Sequence, residues 1–193
     1  LYAFNAENGY LKWTFCTGKT DDNVTSPIVC NNLVIISGDP GELLAVTRSG
    51  TLYWSMSVPS AFASSPAAFR DMLFVGGENG NLYAMAANGS GELWNVTVGG
   101  TITGSPVALD DRIVVTYTNV SEGTPIGGGM AAISYDGELL WEAPTAHTPG
   151  SATVTPDSVV SVSSHGMTSV SLDGRPLWTA PLNSTDIGGS PLA

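Results

Sequence analysis

Apolar positions fall in short runs that alternate with polar residues or are β-branched, and none sustains a helical period. Leu33-Val34-Ile35-Ile36, Met72-Leu73-Phe74-Val75, Ile113-Val114-Val115 and Val159-Val160 are of this kind. Gly, Pro, Asn, Asp and Ser punctuate them. The pattern predicts β-strands throughout and no helix. Leu1-Tyr2-Ala3-Phe4 and Leu11 to Phe15 flank Glu7-Asn8-Gly9. Asn-Gly is a strong hairpin signal because such turns need positive φ. The order of elements then recurs. A strand opens near Ser-Pro, a polar turn leads to an apolar strand, and a hairpin follows with Gly in its turn and Trp on its return strand.

All five tryptophans belong to this hairpin. The fullest copy is Ala3-Phe4-Asn5-Ala6-Glu7-Asn8-Gly9-Tyr10-Leu11-Lys12-Trp13. The others pair Gly50 with Trp54, Gly89 with Trp94, Gly137 with Trp141 and Gly174 with Trp178. Trp13, Trp54, Trp94, Trp141 and Trp178 are 41, 40, 47 and 37 residues apart. Pro27, Pro66, Pro106, Pro156 and Pro191 trail them by 14, 12, 12, 15 and 13 residues. Thr155-Pro156 is therefore taken to open the fifth round, and Ser190-Pro191-Leu192-Ala193 to be the first strand of a sixth. The long interval holds Thr118 to Gly129, read as an insertion in the loop between second and third strands.

A period of about 40 residues with four short strands per cycle predicts an all-β protein, a β-propeller of four-stranded antiparallel blades. A lone sheet of this kind hides neither face, whereas sheets stacked around an axis bury both. Trp fills the widening outer gap between blades, and Gly permits close approach and positive φ. The predicted repeats are 1–15 (partial), 26–58, 65–98, 105–144, 151–182 and 190–193 (partial), about four full blades within one domain. Two arrangements remain open. The chain is a segment of a larger propeller, or a five-bladed ring in which the last strand completes the first blade.

The unit Ala-x-Asn/Asp-x-x-x-Gly-x-x-x-Trp resembles the tryptophan-docking repeat of the pyrroloquinoline-quinone-like (PQQ-like) propellers. Ala3, Asn5, Gly9 and Trp13 match it position by position, and later copies are shorter or degenerate. The resemblance covers essentially the whole chain. It implies a ring of about seven or eight blades, more than this chain supplies. Catalytic members of that family bind PQQ with Ca²⁺, use an Asp base and commonly carry a vicinal Cys-Cys disulfide. Here Cys16 and Cys30 are far from adjacent, and no cluster of Arg, Lys, Glu and Asp suits a tricarboxylate cofactor. The resemblance thus transfers the scaffold without the chemistry, and no cofactor is expected.

Charge narrows the partners. The net charge is −11, with six Lys and Arg in total. A phosphate backbone needs clustered cations, so nucleic acid is not an expected partner. No apolar run reaches the roughly 18–20 residues that cross a bilayer, so no membrane insertion is expected within this chain. Cys16 and Cys30 sit on neighbouring strand segments, and both a disulfide and two free thiols are compatible with the sequence. Five sequons occur, at Asn23, Asn88, Asn95, Asn119 and Asn183. Each falls at a loop, turn or strand start, which suits glycans on an extracellular, cell-surface or periplasmic protein.

Other candidate chemistry is thin. His147 and His165 are the two histidines, both in loops, with no His-x-His pair. No Ser lies in a nucleophile elbow, and Gly127-Gly128-Gly129 lacks the Lys of a phosphate-binding loop. Asp21-Asp22-Asn23, Asp39 with Glu42, and Asp110-Asp111 could offer oxygen ligands to Ca²⁺, yet none has EF-hand spacing and turn-forming Asp explains them. No catalytic, cofactor or metal residue is therefore assigned. The expectation is a non-catalytic extracytoplasmic platform for protein or glycan partners, part of a larger chain or assembly. Family relatives with such roles include outer-membrane assembly lipoproteins and lumenal stress-sensor domains. The alternatives are a fragment of a quinoprotein dehydrogenase whose active-site blades lie elsewhere, or a propeller appended to a cytosolic adenylating enzyme.

Overall fold

A computed structural model describes residues 1–17, 25–38, 41–62, 64–145, 150–163 and 166–182. Every regular element among them is a β-strand. The first sheet pairs β1 (Tyr2–Phe4) with β2 (Leu11–Thr14). The second is β3 (Ile28–Cys30), β4 (Leu33–Gly38), β5 (Glu42–Thr47) and β6 (Leu52–Ser57). The third is β7 (Ala67–Phe69), β8 (Met72–Gly76), β9 (Asn81–Ala86) and β10 (Glu92–Thr97). The fourth holds β11 (Thr101–Ile102), β12 (Val107–Ala108), β13 (Arg112–Ser121), β14 (Thr124–Ser134) and β15 (Leu139–Thr145). The fifth is β16 (Ala152–Val154), β17 (Ser158–Ser163), β18 (Gly166–Ser171) and β19 (Pro176–Pro181).

All pairings are antiparallel between neighbours in sequence, save that β11 and β12 both pair with β13 as two pieces of one first strand. The first strands follow one another in contact, β3 to β7, β7 to β12 and β12 to β16. The sheets therefore stand side by side in chain order as blades of a propeller.

Alternate residues of each middle strand serve opposite neighbours. Leu73 and Val75 pack back against Ile35, Leu43 and Ala45 of the second sheet. Phe74 packs forward against Ile113, Val115 and Ile133 of the fourth. Val114, Met130 and Ala132 of the fourth face Val159 and Val170 of the fifth. Both faces are buried, which is why these strands read as continuous apolar runs.

The outer hairpins share one register. Ala3 lies opposite Trp13, Ala45 opposite Trp54, Ala84 opposite Trp94, Ala132 opposite Trp141, and Ser169 opposite Trp178. A small residue there leaves room for the ring beside it. A β-bulge follows within a residue or two in every copy and adds local twist.

Two sequence expectations change, and one point the sequence left open is decided. The segment 118–129 is no loop: β13 and β14 run on through it as an extended hairpin, with Thr118 opposite Gly128 and Asn119 opposite Gly127. Gly129 in it, with Gly99 outside it, admits the Tyr117 ring, which lies where a side chain on either would stand. Second, Pro156 does not open the fifth sheet. It lies between β16 and β17, and the counterpart of the earlier Ser-Pro pairs is Ser151-Ala152. Third, Cys16 and Cys30 are not bridged. Cys16 is exposed, while Cys30 turns into the core between the second and third sheets, its Sγ 3.8 Å from the Arg70 carbonyl. Burial, with Asp71 adding to it, pushes the Cys30 thiol up. The proposed strand at 190–193 lies outside the described residues.

Candidate functional site

The most repeated local geometry is the joint between one sheet's Trp and the next sheet's Gly turn. Trp13 Nε1 donates to the Arg48 carbonyl at 2.7 Å, and Trp54 Nε1 to Ala87 at 3.2 Å. Trp94 Nε1 donates to Tyr135 at 2.9 Å, and Trp141 Nε1 to Leu172 at 2.8 Å. In each case the acceptor lies two residues before the turn Gly. The rings lie across Gly50, Gly89, Gly137 and Gly174, all at positive φ. A Cβ on these glycines would fall 2.8, 2.6, 2.9 and 2.6 Å from the nearest ring carbon. Glycine is thus required both by backbone conformation and by contact. The sequence singled out these residues; what it left open was that each Trp serves the following sheet rather than its own turn.

A second set of joints runs along the inner strands and was missed from the sequence. Ser26 N–H donates to Ser65 Oγ at 2.9 Å, Ser65 N–H to Ser105 Oγ at 3.2 Å, and Ser105 N–H to Ser151 Oγ at 3.0 Å. The available signal was the Ser before each strand-opening Pro, which was used only as a landmark. Each hydroxyl satisfies an amide that no ladder partner serves. Arg112 adds a clamp between the fourth and fifth sheets: its guanidinium donates to the Leu172 carbonyl at 2.7 Å and to the Asp111 carboxylate at 2.6 Å. That hydrogen bond holds the Asp111 carboxyl below its usual range.

On the outer strands the residue before each Trp points away from the joint. Tyr53, Leu93, Leu140 and Leu177 are all exposed, with Leu52 and Leu139 beside two of them. The result is a periodic apolar row around the rim of successive sheets.

The remaining candidates are dispersed. Asn88 is exposed in the third sheet's turn, where its Oδ1 accepts the Ser90 N–H at 2.9 Å. Asn95 is exposed on β10 and its amide donates to Glu92 at 2.7 Å. Asn119 is half-buried, with its Oδ1 covered and without a hydrogen-bond partner. Asn23, Asn183, His147, His165, Asp21, Asp22 and Asp39 lie outside the described residues. Among the described residues no three His, Cys, Asp or Glu side chains gather as a metal site. No described helix is long and apolar enough to cross a membrane.

Comparison with known proteins decides the family. A family model described as outer membrane protein assembly factor BamB matches residues 39–193. The chain belongs to this PQQ-like repeat family. The PQQ-like chain is 26% identical over 147 residues to outer membrane protein assembly factor BamB of Yersinia pestis, covering 72% of this chain and 35% of that protein. It therefore spans about a third of that curated relative's length. The crystal structure of BamB from Moraxella catarrhalis matches with a TM-score of 0.71 at 17% identity, over 93% of this chain and 57% of that one. Quinohemoprotein alcohol dehydrogenase from Comamonas testosteroni matches with a TM-score of 0.76 at 15% identity, over 92% of this chain and 37% of that one. At such identities the likeness to solved structures establishes the propeller fold alone. The all-β architecture and PQQ-like repeats expected from the sequence are those the chain has.

Proposed function

We propose that this PQQ-like propeller is a non-catalytic, extracytoplasmic binding platform for a protein partner, acting in the assembly of outer membrane proteins. The observation that carries the reading is the match of residues 39–193 to the BamB family model. The joints supply rigidity, since an indole locks each of the first four sheets to the next and serines add rungs from the second sheet to the fifth. The apolar rim of Tyr53, Leu93, Leu140 and Leu177 supplies a repeated surface whose exposed apolar side chains suit a protein. A glycan partner has no observation of its own. On the extracytoplasmic side, exposed Asn88 and Asn95 are the described asparagines open to glycan attachment, and intact mass before and after glycosidase treatment reads this.

The purified chain tests the reading when titrated with an unfolded outer-membrane β-barrel polypeptide, with binding followed by fluorescence anisotropy. Saturable binding that weakens when Tyr53 and Leu93 are both changed to Glu is the expected result. The opposed reading, a quinoprotein dehydrogenase segment, rests on fold likeness. Absence of polypeptide binding, together with dye-linked alcohol oxidation after addition of PQQ and Ca²⁺, would replace the platform with that enzyme.

A further inference from the structure

A cavity of about 420 Å³ opens where the third and fourth sheets meet, at the end from which the extended β13–β14 hairpin projects. It is lined by Glu78 and Gly80 between β8 and β9, by Val98 and Gly100 between β10 and β11, and by Asn119 and Val120 on β13. Both sheets that form it have a described sheet on either side.

The lining has few donors to spare. Val98 N–H donates to the Gly80 carbonyl, and Gly80 N–H to that of Gly77. Gly99 N–H donates to the Glu142 carboxylate at 2.9 Å, and Thr101 Oγ1 to the Glu78 carbonyl at 2.9 Å. The Asn79 NH2 group is turned to the Tyr83 hydroxyl at 2.7 Å. Gly100 N–H and the Asn119 NH2 group are what remain.

Acceptors, by contrast, are left over. A Cβ on Gly80, at φ +82°, would stand 3.1 Å from the Gly100 carbonyl oxygen and 3.5 Å from that of Val98. The two oxygens thus converge over a residue without a side chain, and neither accepts a hydrogen bond from a described residue. The Glu78 carboxylate is exposed and has no hydrogen bond or ion pair among the described residues. Asn119 Oδ1 is covered and accepts nothing. No hydrogen bond holds this amide, so a half-turn presents Oδ1 to a donor in the cavity. The corresponding turn of the second sheet is closed, because the Ser60 and Val58 carbonyls press closer over Gly41.

The surroundings favour a cation. Glu142 places a second carboxylate behind Gly99, and the chain carries a net charge of −11. The described arginines lie at the opposite end of the strands: Arg48, Arg70 and Arg175 follow β5, β7 and β18, and Arg112 opens β13.

We propose that this cavity receives the side chain of an arginine presented by a protein partner. The guanidinium donates to Glu78, to the paired carbonyls of Val98 and Gly100, and to Asn119 Oδ1. Its planar fork spreads its N–H donors, which suits acceptors placed around a cavity, and a compact ammonium would reach fewer of them. The methylene stem lies along Val120, which is 50% exposed. One unpaired carboxylate among neutral oxygens matches a single positive charge, whereas Ca²⁺ takes roughly six to eight oxygens, more than these residues gather. The site is apart from the apolar rim and does not depend on it.

Amide spectra of the ¹⁵N-labelled protein, titrated with N-acetyl-leucyl-arginyl-leucine amide, test this. The peptide should shift the Gly80, Gly99 and Gly100 amides and the Asn119 side-chain amide together and saturably. Its citrulline counterpart, alike in shape but uncharged, should bind about tenfold more weakly or worse. Glu78→Gln should lose a similar factor with an unchanged circular dichroism spectrum and melting temperature, since the residue is exposed. Glu122→Gln removes the same charge from the hairpin tip and should keep the affinity within about twofold. The proposal is overturned if no saturable shift appears at these amides, or if the citrulline peptide binds equally. Equal losses in the two Glu variants also overturn it, because the peptide would then be drawn to negative surface in general. Calcium chloride alone that saturates the same amides and excludes the peptide would replace the proposal with a metal site.

Discussion

Trp54 lies across Gly89 of the following sheet, and its indole Nε1 donates to the Ala87 carbonyl at 3.2 Å. The contact is made between two sheets, so a change at either residue acts on the joint rather than on one hairpin.

Gly89→Ala should therefore cost more than a turn glycine normally does. Its φ of +85° strains any L side chain, and the new Cβ would stand 2.6 Å from the Trp54 ring. Backbone strain and overpacking together should remove about 2–4 kcal/mol of stability. Gly9→Ala has strain without the neighbour and should cost about 1 kcal/mol. Urea unfolding of both variants gives the comparison, and equal losses would show that the ring contact contributes nothing.

Trp94→Phe keeps much of the aromatic packing but removes the donor to Tyr135. The carbonyl left without its partner should lower stability by about 1–3 kcal/mol. Trp178→Phe in dilute protein should be close to neutral, since Trp178 has no such acceptor among the described residues. The difference between the two urea midpoints measures the worth of one indole hydrogen bond.

Ser105→Ala takes away the acceptor for the Ser65 N–H, now at 3.2 Å. The expected loss is about 1 kcal/mol. Hydrogen exchange should locate it: the Ser65 amide should exchange faster, while amides within β13 and β14 keep their protection.

Much of the fold was legible because the strongest signals are local. Each docking Gly needs positive φ, each Trp needs a wide gap, and their spacing survives insertions. Pro156 misled because it fits a turn as well as a strand start, and only the hydroxyl of Ser151 marks the true counterpart. The segment 118–129 read as a loop because Gly127-Gly128-Gly129 lacks side chains. Gly129 makes room for the Tyr117 ring, a contact from the facing strand that sequence spacing does not reveal. The Ser65, Ser105 and Ser151 ladder joins residues about forty positions apart, so no local pattern exposed it. The surface was the least legible part. Leu93 or Leu140 looks like any strand leucine until the outer edge leaves it in water.

Alkaline pH should loosen the third and fourth sheets first. The Tyr135 hydroxyl donates to the Leu109 carbonyl, and its ring stacks on Phe69 with centroids 4.7 Å apart. Burial pushes this phenol up to about 12, with Asp110 and Asp111 adding to the shift and Arg70 opposing it. The folded protein thus holds the proton at pH values where the unfolded chain, titrating near about 10, has released it. The stabilisation is complete below about pH 10 and is lost as pH rises toward 12. Tyr135→Phe should flatten the fall in urea midpoint over that interval, and an unchanged slope would assign it to other groups.

The serine ladder has a further consequence for how the sheets come apart. Each rung ties only adjacent sheets, so among the described residues the third and fourth sheets are held by two rungs, the second and fifth by one, and the first by none. Opening should therefore start in the sheets with fewest rungs and reach the third and fourth sheets last. Amides of the third sheet should outlast those of the first by the widest margin.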